Sequence, residues 1–276
     1  MQSESFAARK TGKTIALVPT MGALHAGHLS LIDLAKRSAD IVVVSVFVNP
    51  TQFGPKEDFS KYPRPFGADC ALAKQQGCDI VFCPAKQEMY PDSYCTYVNV
   101  DALSDRLCGA FRPNHFRGVA TVVLKFFNIV MPHYAVFGLK DIMQCMVLKK
   151  MANDLNVPVH LVFAPTIREK NGLAMSSRNM YLSESERNVA PKIYKALQKA
   201  GLLFDAGERL SSVLHQSVRA DLEPEPLFSI EYAEIVDTHN ASSLEKIGSK
   251  AIVAVALRTN ESKTRLIDNI VLGGSL

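Results

Sequence analysis

Unbroken apolar runs alternate with helix-spaced segments through the first two thirds of the chain. "TIALV" leads into "HLSLIDLAKRSA", then "IVVVSVFV"; "DCALAKQQG" leads into "CDIVFCP", "GVATVVLKFFNIV" into "YAVFG", and "DIMQCMVLKKMANDLN" into "VHLVFAP". Runs that are apolar at every position belong to strands covered on both faces, and strand–helix alternation makes their sheet parallel. The pattern predicts an α/β fold with a doubly wound, Rossmann-like parallel sheet. After about Asn179 the texture changes. "SESERNVAPKIYKALQKAG" opens with Ser183 and Glu186 at capping-box spacing, and "FSIEYAEIVD", "AIVAVALRT" and "TRLIDNIVL" follow without long helices between them. This predicts a first domain over residues 1–178 and a second, smaller α+β domain over 179–276, joined near "SSRNMYLSESE". The chain has no internal repeat and no low-complexity segment.

Composition narrows the partners. With 276 residues, 47% hydrophobic, and a net charge of only +4, the chain can bury a large core. It carries no dense Lys/Arg run interleaved with aromatics, so no nucleic-acid partner is expected. The slight basicity suits an anionic small substrate and equally a lysine-rich surface. The cysteines Cys70, Cys78, Cys83, Cys95, Cys108 and Cys145 form no C-x-x-C and sit partly in apolar runs, which reads as reduced thiols in a cytoplasmic protein. The amino-terminal apolar run is too short for a signal peptide. No stretch approaches the roughly 18 to 20 apolar residues of a membrane span.

In an open parallel sheet, ligands bind outside the carboxyl ends of the strands, so the loops after the strands carry the chemistry. Here they read "PTMGALHAGH", "NPTQF", "LKD" with Gln144 one turn on, and "TIREKNGLAMSSRN". His25 and His28 share a face of a first helical turn, and Gly22 and Gly27 remove bulk where a ligand can lie against backbone. A helix N-terminus there favours phosphate, and imidazoles can donate to phosphoryl oxygens as charge builds. A zinc site lacks the H-E-x-x-H spacing and a third ligand; a lone histidine is more often structural, and the pairing with Gly27 tips the balance to function. "KTGKT" near Lys13 is no P-loop, since Ala7 stands where a glycine is needed and the segment precedes a strand. Lys140 and Asp141 follow Gly138 at a strand end, suited to a phosphate and a ribose hydroxyl, or equally to a surface lysine beside a capping aspartate. Asn49, Gln52 and Gln144 offer donor and acceptor to a hydroxylated substrate. Ser176, Ser177 and Arg178 can fold over a triphosphate, or cap a helix. No G-x-S-x-G elbow supports a covalent serine mechanism.

The blocks "VPTMGALHAGHLSLI", "VFVNPTQF", "HFRGVATVVLKFFNIV", "FGLKD" with Gln144, and "REKNGLAMSSRNMYLS" closely resemble the pantothenate synthetase (pantoate–beta-alanine ligase) family, in order and across nearly the whole chain. "HAGH" alone would indicate only the wider H-x-G-H nucleotidyltransferase superfamily. The resemblance implies an ATP-dependent ligase that joins pantoate to β-alanine through a pantoyl adenylate, releasing AMP and pyrophosphate. It implies that Met21, Gly22, Ala23, Leu24, His25, Ala26, Gly27 and His28 form the ATP loop, with His25 and His28 on the phosphates. Gly138, Leu139, Lys140 and Asp141 would bind adenosine and phosphate, Lys140 being the catalytic cation. Ile167 would meet adenine through its backbone, and Met175, Ser176, Ser177 and Arg178 would clamp phosphate. Gln52 and Gln144, with Asn49 beside them, would hold pantoate. Magnesium would ride mainly on the phosphates, with Asp69 as the protein's contribution, and the second domain would act as a lid. Family members are commonly homodimers.

The chain departs from the family's usual pattern at Cys108, where Glu is common, at Leu139, where an acid is common, and at Asn114 and Asn171, where Gly and Asp are common. None of these is an expected histidine, glutamine, lysine or clamp position, so the departures bear on rate rather than kind. Two alternatives remain at this level. One is a nucleotidyltransferase acting on a phosphorylated acceptor, which the amides argue against; the other is a non-catalytic nucleotide-binding homologue, which Lys140 and His28 argue against.

Overall fold

In the computed structural model, which describes every residue except Lys56, the apolar runs are strands of one parallel sheet. Strands β1 (Ile15–Thr20), β2 (Ile41–Val46), β3 (Ile80–Phe82), β4 (Tyr134–Gly138) and β5 (His160–Ala164) lie in the order β3-β2-β1-β4-β5, every neighbouring pair parallel. Along this stretch of the chain run the helices α1 (Gln2–Lys10), α2 (Ala26–Ser38), α3 (Phe66–Gln75), α4 (Lys86–Met89), α5 (Cys108–Phe111), α6 (His115–Val130) and α7 (Ile142–Asp154). Ala16, Val18, Val42, Val44 and Val136 pack with Ile32 and Ala35 of α2. Ile15, Leu17 and Val43, which alternate with them and face the other way, are equally buried. Two covered faces explain why these strands read as continuous apolar runs.

The chain forms two compact units. The first comprises Met1–Asp105, Arg112–Leu139 and Met143–Pro165; the second comprises Arg106–Phe111, Lys140–Ile142 and Thr166–Leu276. The second unit thus takes up the chain from Thr166, ahead of the expected Asn179, and includes two short earlier segments. Its later elements are α8 (Glu184–Val189), α9 (Lys192–Asp205), α10 (Ser211–Leu222) and the antiparallel strands β6 (Phe228–Val236), β7 (Ala251–Thr259) and β8 (Arg265–Leu272). Ile193, Leu197 and Ala200 of α9 and Leu214, Val218 and Leu222 of α10 bury against Val253, Val255 and Leu257. The six cysteines form no disulfide. No described helix is long and apolar enough to cross a membrane.

The expected capping box is present at the start of α8: the Glu186 backbone N–H donates to Ser183 Oγ, and the Glu186 carboxylate accepts the Ser183 N–H, both at 3.1 Å. Glu186 does more than cap, because it is fully buried and its other oxygen accepts the N–H groups of Glu261 and Ser262 at 2.8 Å. Burial alone would raise this carboxyl, but hydrogen bonds from Ser262, Thr259 and Ser183 outweigh it and hold it at about 2. A carboxyl depressed on folding stabilises the native state above its ordinary value near 4.5, and that contribution is lost as pH falls toward 2. Glu186→Gln should therefore be less stable than the parent at neutral pH and lose less of its stability between pH 5 and pH 2. Denaturant titrations at a series of pH values check this; parallel pH profiles for the two proteins would refute it.

Candidate active site

The strand order reverses at β1: β2 and β3 lie on one side of it, β4 and β5 on the other. That reversal is the topological switch point, where the loops leaving adjacent strands diverge and open a crevice at the carboxyl edge. The loop leaving β1 is held by buried polar groups. Thr20 Oγ1 donates to the Ser45 carbonyl at 2.7 Å and accepts the Gly22 N–H at 3.1 Å. Gly22 has φ +81°, and a Cβ there would lie 2.9 Å from Asp69 Oδ2. Ala23 is also left-handed, at φ +51°, a conformation that costs a non-glycine residue roughly 1–2 kcal/mol. Asp69 offsets that cost: it is 1% exposed, Oδ2 accepts the Ala23 N–H at 2.9 Å, and Oδ1 accepts the Leu24 N–H at 2.8 Å.

Beyond Leu24 the two histidines cap α2 together. His25 Nδ1 accepts the Gly27 N–H at 3.1 Å, and His28 Nδ1 accepts the His25 N–H at 3.3 Å. The rings stack with centroids 4.1 Å apart. A ring nitrogen that accepts a hydrogen bond carries no proton, so each imidazole carries its proton on Nε2. The tautomers of both rings are thus set by main-chain amides. At the start of α2 an imidazole takes the place of the usual Ser or Asp cap.

After β2, Asn49 and Gln52 are both buried and bonded to each other, Asn49 Nδ2 donating to Gln52 Oε1 at 2.9 Å and to the Gly118 carbonyl at 3.1 Å. The Gln52 carbonyl accepts from His115 Nδ1 at 2.8 Å, and Arg112 Nη1 donates to His115 Nε2 at 3.0 Å. Since a carbonyl cannot donate and a guanidinium cannot accept, His115 is the Nδ1–H tautomer. Glu57 closes the chain with two bonds from Arg112, at 2.6 and 2.7 Å. Burial raises the Glu57 carboxyl, and the Arg112 guanidinium more than reverses this, leaving it below the usual carboxylate range. Gly118 lets α6 come this close: a Cβ there would fall 2.3 Å from the Thr51 carbonyl oxygen.

Gln144 is half-buried on the first turn of α7, directly after the β4 loop. Gln52 and Gln144 thus follow the two strands that flank β1. Gly138 ends β4 and Leu139 begins the loop in the first unit. Lys140 and Asp141 belong to the second unit, with Nζ 3.9 Å from Asp141 Oδ1 and the Lys140 carbonyl accepting from Asn269 at 2.9 Å. Ile167 and Met175 are brought together in that unit, the Met175 N–H donating to the Ile167 carbonyl at 3.0 Å across a hairpin. Ser176 caps the 3-10 turn Ser177–Tyr181 by accepting the Arg178 N–H at 3.2 Å.

Two of the sequence departures have local reasons. Asn114 sits at φ +64°, a left-handed position that favours glycine and that asparagine tolerates better than most residues. Asn171 Oδ1 accepts the Leu173 N–H at 3.1 Å, a bond that Asp makes equally well. Cys108 is buried in α5 of the second unit.

The donor set does not fit a metal held by protein side chains. Among the described residues no group of three or more His, Cys, Asp or Glu could hold a metal ion. Asp69, read from sequence as the magnesium group, is buried with each oxygen accepting a main-chain amide, and the structure gives it the task of shaping the β1 loop. The reasoning from sequence also passed over Thr20, Arg112, His115 and Gly118. Only Gly118 left a signal there, a glycine inside an otherwise apolar helical run, which costs about 1 kcal/mol and so asks for a packing reason.

A family profile described as pantoate-beta-alanine ligase matches residues 1–271. The chain belongs to the pantoate-beta-alanine ligase family. A pantothenate synthetase of Pelotomaculum thermopropionicum is 51% identical over 266 residues, covering 96% of this chain and 94% of that one. The crystal structure of pantothenate synthetase from Thermus thermophilus superposes with a TM-score of 0.91 at 41% identity, covering 98% of this chain and 97% of that chain. The pantoate-beta-alanine ligase of Francisella tularensis, solved with beta-gamma ATP and beta-alanine, superposes with a TM-score of 0.78 at 30% identity, covering 99% and 96%. The fold of this ligase family is therefore the fold of the chain, sheet and smaller antiparallel unit included.

Proposed function

We propose that the chain condenses pantoate with β-alanine at the expense of ATP, in two steps. In the first, a pantoate carboxylate oxygen bonds to the α-phosphorus of ATP while the bond from that phosphorus to the bridging oxygen breaks, and pyrophosphate leaves with the electron pair. In the second, the neutral amine of β-alanine attacks the acyl carbon of the pantoyl adenylate. The acyl–oxygen bond to AMP breaks, and the new amide nitrogen gives up one proton. The observation that carries this reading is the family match over residues 1–271, which takes in every loop at the carboxyl edge. No covalent attachment to the protein is needed; positioning and charge stabilisation suffice.

Residue roles follow from chemistry. The Nε2–H groups of His25 and His28 donate to phosphate oxygens that gain charge as pyrophosphate departs, and Lys140 supplies a cation. Met21 to Leu24, Ala26 and Gly27 shape the ATP loop, with Gly138, Leu139, Asp141 and the Ile167 backbone on the nucleoside. Met175, Ser176, Ser177 and Arg178 serve the triphosphate. Magnesium accompanies ATP on its own oxygens, and no step is assigned to it. The reading carries a cytoplasmic homodimer.

Gln52 and Gln144 hold pantoate, and a buried partner left unpaired costs about 1–3 kcal/mol. Gln52→Ala and Gln144→Ala should each weaken pantoate use by roughly ten- to a hundredfold while ATP affinity stays within about twofold. Equal losses for both substrates would contradict the assignment. The reaction itself is tested by product analysis: AMP and pantothenate should appear only when pantoate, β-alanine and magnesium–ATP are all present. AMP formed at the same rate without pantoate would overturn the reading.

A further inference from the structure

We propose that Asn49 is a positioning residue that fixes which end of the Gln52 carboxamide the substrate meets, so that Gln52 acts as a hydrogen-bond donor to an acceptor oxygen of the acid substrate. The inference rests on the functional reading above for the identity of that acid, and on hydrogen-bond polarity for everything else.

Asn49 is 1% exposed, and both ends of its carboxamide are committed. At one end Nδ2 faces the Gly118 carbonyl at 3.1 Å, a group that can only accept. At the other, Oδ1 accepts the Thr51 hydroxyl at 3.0 Å and lies 3.4 Å from the Thr51 N–H, a group that can only donate. Turning the carboxamide over would set oxygen against oxygen at Gly118 and NH2 against N–H at Thr51, each an unsatisfied buried contact. Main-chain groups thus determine the orientation of Asn49. The same Nδ2 points at the Gln52 side chain at 2.9 Å, so the Gln52 atom that meets it is the acceptor Oε1. What Gln52 has left to offer is Nε2, with its N–H groups.

Its backbone is pinned as firmly. The Gln52 N–H donates to the Asn49 carbonyl at 3.2 Å, and its own carbonyl accepts from His115 at 2.8 Å. A side chain anchored at both ends of its residue and at Oε1 has little freedom to turn over when a ligand arrives. A donor in this place suits a carboxylate or a hydroxyl oxygen and is mismatched to an ammonium group. That polarity selects an oxygen acceptor over an ammonium group at this position, a discrimination by mismatched hydrogen bonds rather than by size.

The test uses the whole enzyme and reads pyrophosphate release against pantoate concentration. In Asn49→Asp the new carboxylate has no N–H for Gln52 Oε1, so it draws the Gln52 NH2 instead and turns the carbonyl oxygen toward the ligand. The KM for pantoate should rise on the order of 10²-fold while the KM for ATP stays within about twofold. Made in a Gln52→Ala background, Asn49→Asp should add less than about twofold, because the residue through which it acts is gone. Thermal midpoints of all three variants control for folding. Additive losses would overturn the proposal, since Asn49 would then touch substrate itself or act through the fold at large. So would an unchanged pantoate KM in Asn49→Asp. Wild-type pyrophosphate release that ignores pantoate would overturn the functional reading and with it the substrate named here; additive losses in an enzyme that does use pantoate would overturn this proposal alone.

Discussion

Lys140→Ala should slow pyrophosphate release on the order of 10²-fold or more at saturating ATP and pantoate, with little change in thermal midpoint. The proposed first step spreads negative charge over the departing pyrophosphate and the phosphorus under attack. A cation already in place at that point stabilises the transition state without the cost of reorganising water. Lys140 follows β4, which pairs with the central β1, and its side chain is only 22% exposed. Its ion pair with Asp141, at 3.9 Å, joins it to a side chain that is 52% exposed, and exposed pairs contribute little to stability. Loss of the charge should thus fall on rate and spare the fold. Lys140→Arg should recover part of the rate, since the charge is kept while the planar guanidinium places it differently. An unaltered rate in Lys140→Ala would remove this cation from the mechanism.

Gly118→Ala pits two effects of opposite sign against each other. Alanine is the better helix former by about 0.8–1.0 kcal/mol, so propensity alone would stabilise α6. Packing says otherwise: the added Cβ would stand 2.3 Å from the Thr51 carbonyl oxygen, 2.5 Å from its carbon and 2.8 Å from the Gln52 nitrogen. All three are backbone atoms and cannot swing aside, so the turn that carries Gln52 must move by on the order of 1 Å, and overpacking of that kind costs typically about 1–3 kcal/mol. A displacement of that size at a substrate-holding residue can cost up to about 10²-fold in turnover. The expected outcome is a lower thermal midpoint together with a pantoate KM raised roughly tenfold or more. Gly67→Ala is the control, because Gly67 lies in α3 with nothing within 4 Å of the added methyl, and it should be neutral or stabilising with unchanged kinetics. A Gly118→Ala enzyme that gains stability and keeps its kinetics would show that α6 and the turn are not in the contact described.

The sheet was legible because burial on both faces leaves a continuous apolar signature in β1, β2 and β4, and because a parallel sheet needs helices between its strands. The second unit's strands and its Ser183–Glu186 cap were legible for similar local reasons. Helix α1 was not: it buries only Ser5, and its sequence carries no apolar stripe. Helix α10 was overlooked although Leu214, Val218 and Leu222 recur at the four-residue spacing of a buried helix face; no side-chain cap marks its start. At the site, the identity of the carboxyl-edge residues could be read from motif and resemblance, whereas their hydrogen-bond directions could not. No spacing rule reveals that His25 and His28 each accept a main-chain amide through Nδ1, or that Asp69 holds Ala23 in a left-handed turn. The Asp69 contact depends on residues 46 positions apart in sequence meeting through a buried oxygen. Asp69 is such a case: its nomination as a metal group came with the resemblance, and the two main-chain amides that its oxygens accept could be seen only in the fold.

Pyrophosphate exchange into ATP isolates the first step most directly. With pantoate present and β-alanine withheld, labelled pyrophosphate should enter ATP, because a reversible adenylate needs the acid and nothing of the amine. Exchange that proceeds equally without pantoate, or that begins only once β-alanine is supplied, would mean that no pantoyl adenylate precedes the amine.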